Sequence, residues 1–287
     1  MAGFANLREM VDAESNGGGR FATWRKQPTQ TTSSGVWFDL SMSPGNPTPN
    51  YYIGVPNVFT PLKRSTDGGL DHGGNVAPKK KMLRQFMAMT VTGAATPLPM
   101  ILLDYLGHYP FLDESVTDEQ FLDNTNVLTR WTDGKGVQMM AVVVAGQTGG
   151  QTFKVNYTNS DGEAGRITPD HLMTTQLVNG TILSSAGAAV NSRGPFMCLQ
   201  AGDSGVRSVE SITFNGIGDI GLMALVLVKP LASFSIRGID APCESDFLED
   251  SPQMPIIADD AYLGMICLPS GSLSGAAIHG CIDTAWN

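Results

Sequence analysis

Four stretches of the chain carry residue types that do chemistry when a fold brings them together. Gly202-Asp203-Ser204-Gly205 has the form of a loop that presents a serine nucleophile beside backbone N–H groups acting as an oxyanion hole. Such a loop expects a second glycine where Val206 stands, and a histidine base in an Ala-Ala-His-Cys setting upstream. His72 in LDHGG, His108 in LGHYP and His171 in PDHLM do not supply it, so Asp-Ser-Gly reads as turn chemistry. Gly216-Ile217-Gly218-Asp219-Ile220-Gly221 is a literal G-x-G-x-x-G. A dinucleotide site needs a helix after those glycines, and the following Leu222 to Val228 is β-prone, so a hairpin turn is expected instead. His279 and Cys281 flank Gly280 and would point to one side of a strand, with Cys267 or Cys243 completing a metal set. Structural zinc sites space their paired ligands more widely, and buried thiols without a metal are common. Asp113-Glu114 and Asp118-Glu119 are paired acids, but adjacent loop carboxylates make a solvated face more often than the cleft of a glycosidase. They also lack the alternating spacing of a calcium loop.

No nucleophile, base and orienting group come together in the sequence. The chain is therefore expected not to be an enzyme, and no cofactor or metal is expected. Trp24, Trp37, Tyr51 and Tyr52 offer a sugar-stacking platform as one use, and core or interface anchoring as the more frequent one.

Composition narrows the class further. The 287 residues are 42% hydrophobic and only 16% charged, with 33 Gly and 17 Pro. Few charges and many turn formers suit a β-rich body whose surface is partly covered by neighbours. Residues 1–84 hold ten Lys/Arg against six Asp/Glu, a net +4; the remaining eight against twenty-one give −13, and the sum is the −9 of the whole chain. An acidic body lacks the basic footprint that nucleic-acid binding needs. No apolar run reaches the roughly 18 residues of a membrane span. The opening stretch has no apolar core of a signal peptide, so the four cysteines are expected as free thiols in a reducing cytoplasm.

The elements that must position these residues are mostly strands. Val137 to Tyr157 holds the clearest pair: an apolar run from Met139 to Ala145, a Gly-rich turn, then Phe153, Val155 and Tyr157 alternating with polar residues. The pattern predicts a β-hairpin. Gly221 to Val228 is a second apolar strand, expected to stop at Pro230. Further strands are expected from Phe86, over Met100–Leu103, Pro195–Gln200, Ser208–Phe214, Tyr262–Leu268 and Ile278–Ile282. Residues 2–14 place Phe4, Leu7, Met10 and Val11 at helical spacing ahead of three glycines, which reads as a short helical arm needing a docking surface. Pro44, Pro47, Pro49, Pro56 and Pro61 exclude helix and central strand from the segment around them. The predicted fold is mainly β: a jelly-roll-like β-sandwich with a short N-terminal helical arm and long Pro/Gly-rich loops. Residues 1–28 form the arm, and 29–287 form one sandwich domain or two subdomains dividing near 179–195.

Several phrases together resemble a family of tailed-bacteriophage virion structural proteins. They are VWFDLSMSPGNPTPNYY, PLPMILLDYLGHYPFLDES, DGKGVQMMAVVVAGQTGGQTFKVNYTNSDG, and LQAGDSGVRSVESITF followed by GLMALVLVKPL. The resemblance implies a non-enzymatic, many-copy virion component, a decoration or cement protein on the head, with the major capsid protein or other virion proteins as partners. It would be a homo-oligomer assembled in host cytoplasm, binding neither nucleic acid nor membrane. The alternative is a tail- or fibre-associated protein that binds a host glycan. The residues expected to make inter-subunit contacts are Phe4, Leu7, Met10, Val11, Phe21, Trp24, Tyr51 and Tyr52.

Overall fold

The computed structural model describes residues 3–287 except 177, 184–193, 217–219, 240 and 251–253. Helix α1 (Leu7–Ser15) starts where Asn6 accepts the Glu9 backbone N–H, while the Glu9 side chain accepts that of Ala5. This reciprocal capping satisfies donors that a helix start leaves orphaned. Gly17, at φ +81°, ends it.

Everything else of length is antiparallel strand, in three sheets. The first runs β14 (Cys243–Asp246), β5 (Lys81–Thr90), β17 (Ile278–Trp286), β1 (Gly19–Lys26) and β3 (Gly45–Asn46), with β15 (Ile256–Ile257) also on β5. The second, central sheet runs β2 (Phe38–Asp39), β16 (Leu263–Cys267), β6 (Leu98–Asp113), β13 (Ile220–Ile236) and β8 (Gln138–Thr148), with β4 (Thr60–Pro61) on β6. The third runs β10 (Arg166–Ile167), β9 (Thr152–Asn159), β12 (Val206–Asn215) and β7 (Gln120–Phe121), with β11 (His171–Leu172) on β9.

β6 and β13, 16 and 17 residues long, carry both halves of the molecule. Leu98, Met100 and Leu102 of β6 join Phe234 and Ile236 of β13 in a core with Trp24, Phe86 and Ile282 of the first sheet. Farther along, Leu106, Tyr109 and Leu112 join Met223, Leu225 and Leu227 in a core with Phe153, Val155 and Ile212 of the third. The opposite face of the central sheet is roofed by Met42, Tyr52 and Leu62 from the Pro-rich segment. The β-sandwich is as expected, with three sheets where a jelly roll has two.

Several expectations are corrected. Val137 to Tyr157 does form two strands, but they are not a hairpin: β8 pairs with β13 and β9 with β12. The Gly-rich turn carries the chain from one sheet to the other, and the two strands face each other across a shared core as a β-arch. Pro230 does not stop β13. It pairs with Leu103 at a register shift, two residues past Val228, where β8 has ended and that edge needs no donor. The sequence boundaries also move. β1 lies hydrogen-bonded between β17 and β3, so the segment outside the sheets ends near Gly18 and not at 28. β6 and β13 belong to both cores, and most of the segment 179–195, where a division into subdomains was expected, lies outside the described residues. Residues 195–200, expected as a strand, form none.

Candidate functional site

The catalytic decoys resolve into structural pins. Asp203 accepts hydrogen bonds from Arg166 (Nε and Nη2, both 3.0 Å), Tyr157 Oη (2.6 Å) and Asn159 Nδ2 (2.8 Å). The Arg166 guanidinium, with Tyr157 and Asn159 assisting, lowers its carboxyl to about 2. Asp203 thereby ties β9 and β10 to the loop before β12, and the neighbouring Ser204 hydroxyl sits 3.3 Å from that of Ser160. The G-x-G-x-x-G lies partly outside the described residues; a strand, not a helix, follows from Ile220. Gly280 is required by close approach, since a Cβ there would lie 1.8 Å from the Met87 carbonyl oxygen. Cys281 is on the first sheet and buried Cys267 on the second. Among the described residues no group of three or more His, Cys, Asp or Glu side chains is placed to hold a metal ion. Asp113 accepts from the backbone N–H and hydroxyl of Ser115, and Glu119 accepts from the Ser211 hydroxyl, so the paired acids brace their own loops.

Three buried polar clusters went unseen in the sequence. Lys26 is 2% exposed and donates to the carbonyls of Ser43 (2.9 Å), Pro47 (2.8 Å) and Ser41 (3.4 Å), holding the Pro-rich segment on β1. Burial lowers its ammonium to about 8, with Asp39 opposing. Asp39 accepts from the hydroxyls of Tyr52 and Tyr105 and from the Ser41 N–H. Burial raises its carboxyl, and those hydrogen bonds pull the other way. His72, fully buried, faces the Ala261 carbonyl with Nε2 (2.9 Å) and the Lys81 ammonium with Nδ1 (3.0 Å). A carbonyl cannot donate and an ammonium cannot accept, so His72 is neutral with its proton on Nε2. Burial, with the Lys81 charge added, pushes it down to about 4. The third is an ion pair: Arg130 clamps Asp104 through Nε (3.1 Å) and Nη2 (2.7 Å), with side chains 6% and 1% exposed. Trp131 Nε1 donates to the same carboxylate at 3.1 Å. A sequence signal existed for Lys26 alone. Period-2 alternation along β1 puts it on the same side as Trp24.

Of the eight expected contact residues, three are inside this chain. Met10 is the buried side of α1, Trp24 stacks on Phe86 at 5.6 Å, and Tyr52 is 0% exposed against Asp39 and His108. Their size and apolarity serve the chain's own core, which the composition alone does not distinguish from an interface. Loss of Trp24 and Tyr52 from the surface also dismantles the proposed sugar platform. Leu7, Val11, Phe21 and Tyr51 are exposed by half or more, and Phe4 is half-buried. The helical arm itself docks in cis on the end of the first sheet. Gly18 accepts the Trp286 N–H, Glu14 pairs with Arg84 at 3.5 Å, and Glu9 accepts from Asn287. A shallow groove of about 620 Å³ runs between α1 and the last two residues. The most exposed large apolar side chains are Phe121 (74%), Ile53 (71%), Val127 (66%) and Val55 (64%). They sit on two loops joined by hydrogen bonds between Asp123 and both Asn57 and Phe59. No helix among the described residues is long and apolar enough to cross a membrane.

No protein-family model matches the chain, and no curated protein does. Among solved structures it is similar, weakly, to the infectious bursal disease virus Gt strain particle, with 8% identity, a TM-score of 0.19 and coverage of 93% of this chain and 80% of that one. The VP2 subviral particle of infectious bursal disease virus gives 8% identity, a TM-score of 0.16 and coverage of 94% and 80%. The likeness is too slight to carry an argument about fold family or role. Neither of these two is a tailed-bacteriophage protein.

Proposed function

We propose that this chain is a non-enzymatic virion structural protein that binds the capsid lattice as a decoration or cement protein. The observation behind the reading is the contrast between interior and surface. Ionisable groups with strongly shifted titration are braced inside the fold, while six large apolar side chains stand more than 60% exposed on a rigid all-β frame: Phe121, Ile53, Val127, Val55, Val91 and Phe21. These six are counted among the described residues, and four of them, Phe121, Ile53, Val127 and Val55, lie on two segments hydrogen-bonded to each other; grouped exposed apolar side chains mark contact surfaces. The phrase resemblance supplies the kind of assembly, with capsid or other virion proteins as partners. The glycan-binding alternative has lost Trp24 and Tyr52 to the interior, and no other observation favours it. The test is to purify particles from an infected host that encodes this chain, quantify it by mass spectrometry and locate it by cryo-EM reconstruction. Regular many-copy density on the head is the expected result. Absence from particles overturns the reading.

A further inference from the structure

The first sheet shows one face to the core and another outward. An antiparallel sheet with a wet face normally alternates apolar inward with polar outward. On β5 the inward residues are Leu83, Phe86 and Ala88, all buried, yet Met82, Met87 and Met89 alternate with them on the other side, half-buried. The Met82 end is roofed by the N-terminal segment, where Gly3 lies against the Met82 methyl. Farther along, the register lines up Thr23, Cys281, Met87 and Glu244 across four strands, and Arg25, His279 and Met89 in the next row. Phe21 follows on the same side of β1, 61% exposed. The middle strands thus present thioethers, a thiol and the His279 imidazole, with the Arg84–Asp283 ion pair beside α1 closing one end. The flanking strands present opposite charges: exposed Arg25 on β1 and exposed Glu244 on β14. A Met-rich centre with a charged rim is the anatomy of a contact surface.

We propose that this face is self-complementary and that two copies of the chain stack it face to face. The charges choose the symmetry. A twofold axis parallel to the strands, between β17 and β5, lays β1 of one copy over β14 of the other. Arg25 then meets Glu244 of the second copy, twice. A twofold axis across the strands would instead set Arg25 over Arg25. In the favoured arrangement β17 lies over β5 of the second copy. Stacked sheets are about 10 Å apart and strands about 5 Å, so the two Cys281 Cα atoms are roughly 11 Å apart. That is too far for a disulfide and within reach of a short bismaleimide. The exposed part of the face is about 15 by 20 Å, roughly 300 Å² per copy, against about 800 Å² in a standard stable interface. Association is therefore weak in free solution, and covalent capture is the right readout. The inference is independent of the virion reading; absence from particles would leave it standing.

The test uses the full-length protein, a short bismaleimide and a concentration series, with linked peptides identified by mass spectrometry. A dimer joined Cys281 to Cys281 is expected, disappearing in Cys281→Ser. Its yield falls about tenfold or more in Arg25→Glu and in Glu244→Arg, and returns in the double variant carrying both reversals. Circular dichroism checks that each variant is folded, and Met87→Glu, at the centre of the face, provides a further variant that should abolish the link. Equal yield in Arg25→Glu and the parent, links through Cys198 or Cys243 in place of Cys281, or no Cys281 dimer at any concentration overturns the proposal.

Discussion

At the scale of residues, three of the four histidines, His72, His108 and His171, are sealed inside the fold. Burial lowers His72 and His108 to about 4 and lowers His171 as well. A base whose folded pKa is depressed contributes stability that is complete above its unfolded value near 6.5 and is lost as pH falls toward the folded value. Thermal stability should therefore drop between roughly pH 6.5 and 4, with protons taken up on unfolding. Calorimetry in buffers of different ionisation enthalpy measures that uptake; none at pH 5.5 would contradict the neutral assignment. The Asp104–Arg130 pair gives a second prediction. Removing one member of a buried pair leaves an uncompensated charge, so Arg130→Ala should lose about 3–5 kcal/mol in urea unfolding. A loss below 1 kcal/mol, the range of a surface pair, would show the site to be wetter than its burial indicates.

Elements behave as their local patterns predict, and their partners do not. Phe153, Val155 and Tyr157 are all buried, as their alternation requires. A strand's row of N–H and C=O groups pairs equally well with any other strand, so adjacency in sequence did not decide that β8 and β9 would meet. The shared core did, by placing Met139, Ala141 and Val143 opposite Phe153 and Val155 from another sheet. Helix α1 is similar: its helical spacing was legible, its docking on β17 was not. Deleting residues 2–16 should leave the sheets folded and cost about 2 kcal/mol, the worth of burying Met10. It should also open Trp286 to acrylamide quenching of its fluorescence. Complete unfolding would mean that α1 is integral to the first sheet.

The whole molecule is two sandwiches on one central sheet, and long β6 and β13 bind them into one cooperative unit. Phe86→Ala and Phe214→Ala lie in different cores, yet each should shift the same single transition, at a cost of about 3–5 kcal/mol. Two resolved calorimetric transitions would show that the halves fold separately. At this scale the proposed function rests on surfaces. The exposed apolar loops around Phe121 and Ile53 and the Met-rich face of the first sheet are what a neighbour can reach.

Period-2 alternation, proline density and turn glycines were enough to establish a β-rich body and its strand faces, because each depends on neighbours a few residues away. The three-sheet layout, the arch at Gly149-Gly150, the passage of β13 through Pro230 and the burial of Lys26, Asp39 and His72 were decided only by tertiary structure. Lys26 is held in the interior because carbonyls 15 to 21 residues away converge on it, and a strand proline is tolerated only where its edge is free. The same holds for the chemical stretches themselves. Ser204, His279, Cys281 and the paired acids carried reactive types, and the fold dispersed them among braces and sheet positions because nothing local specified where their partners would come from.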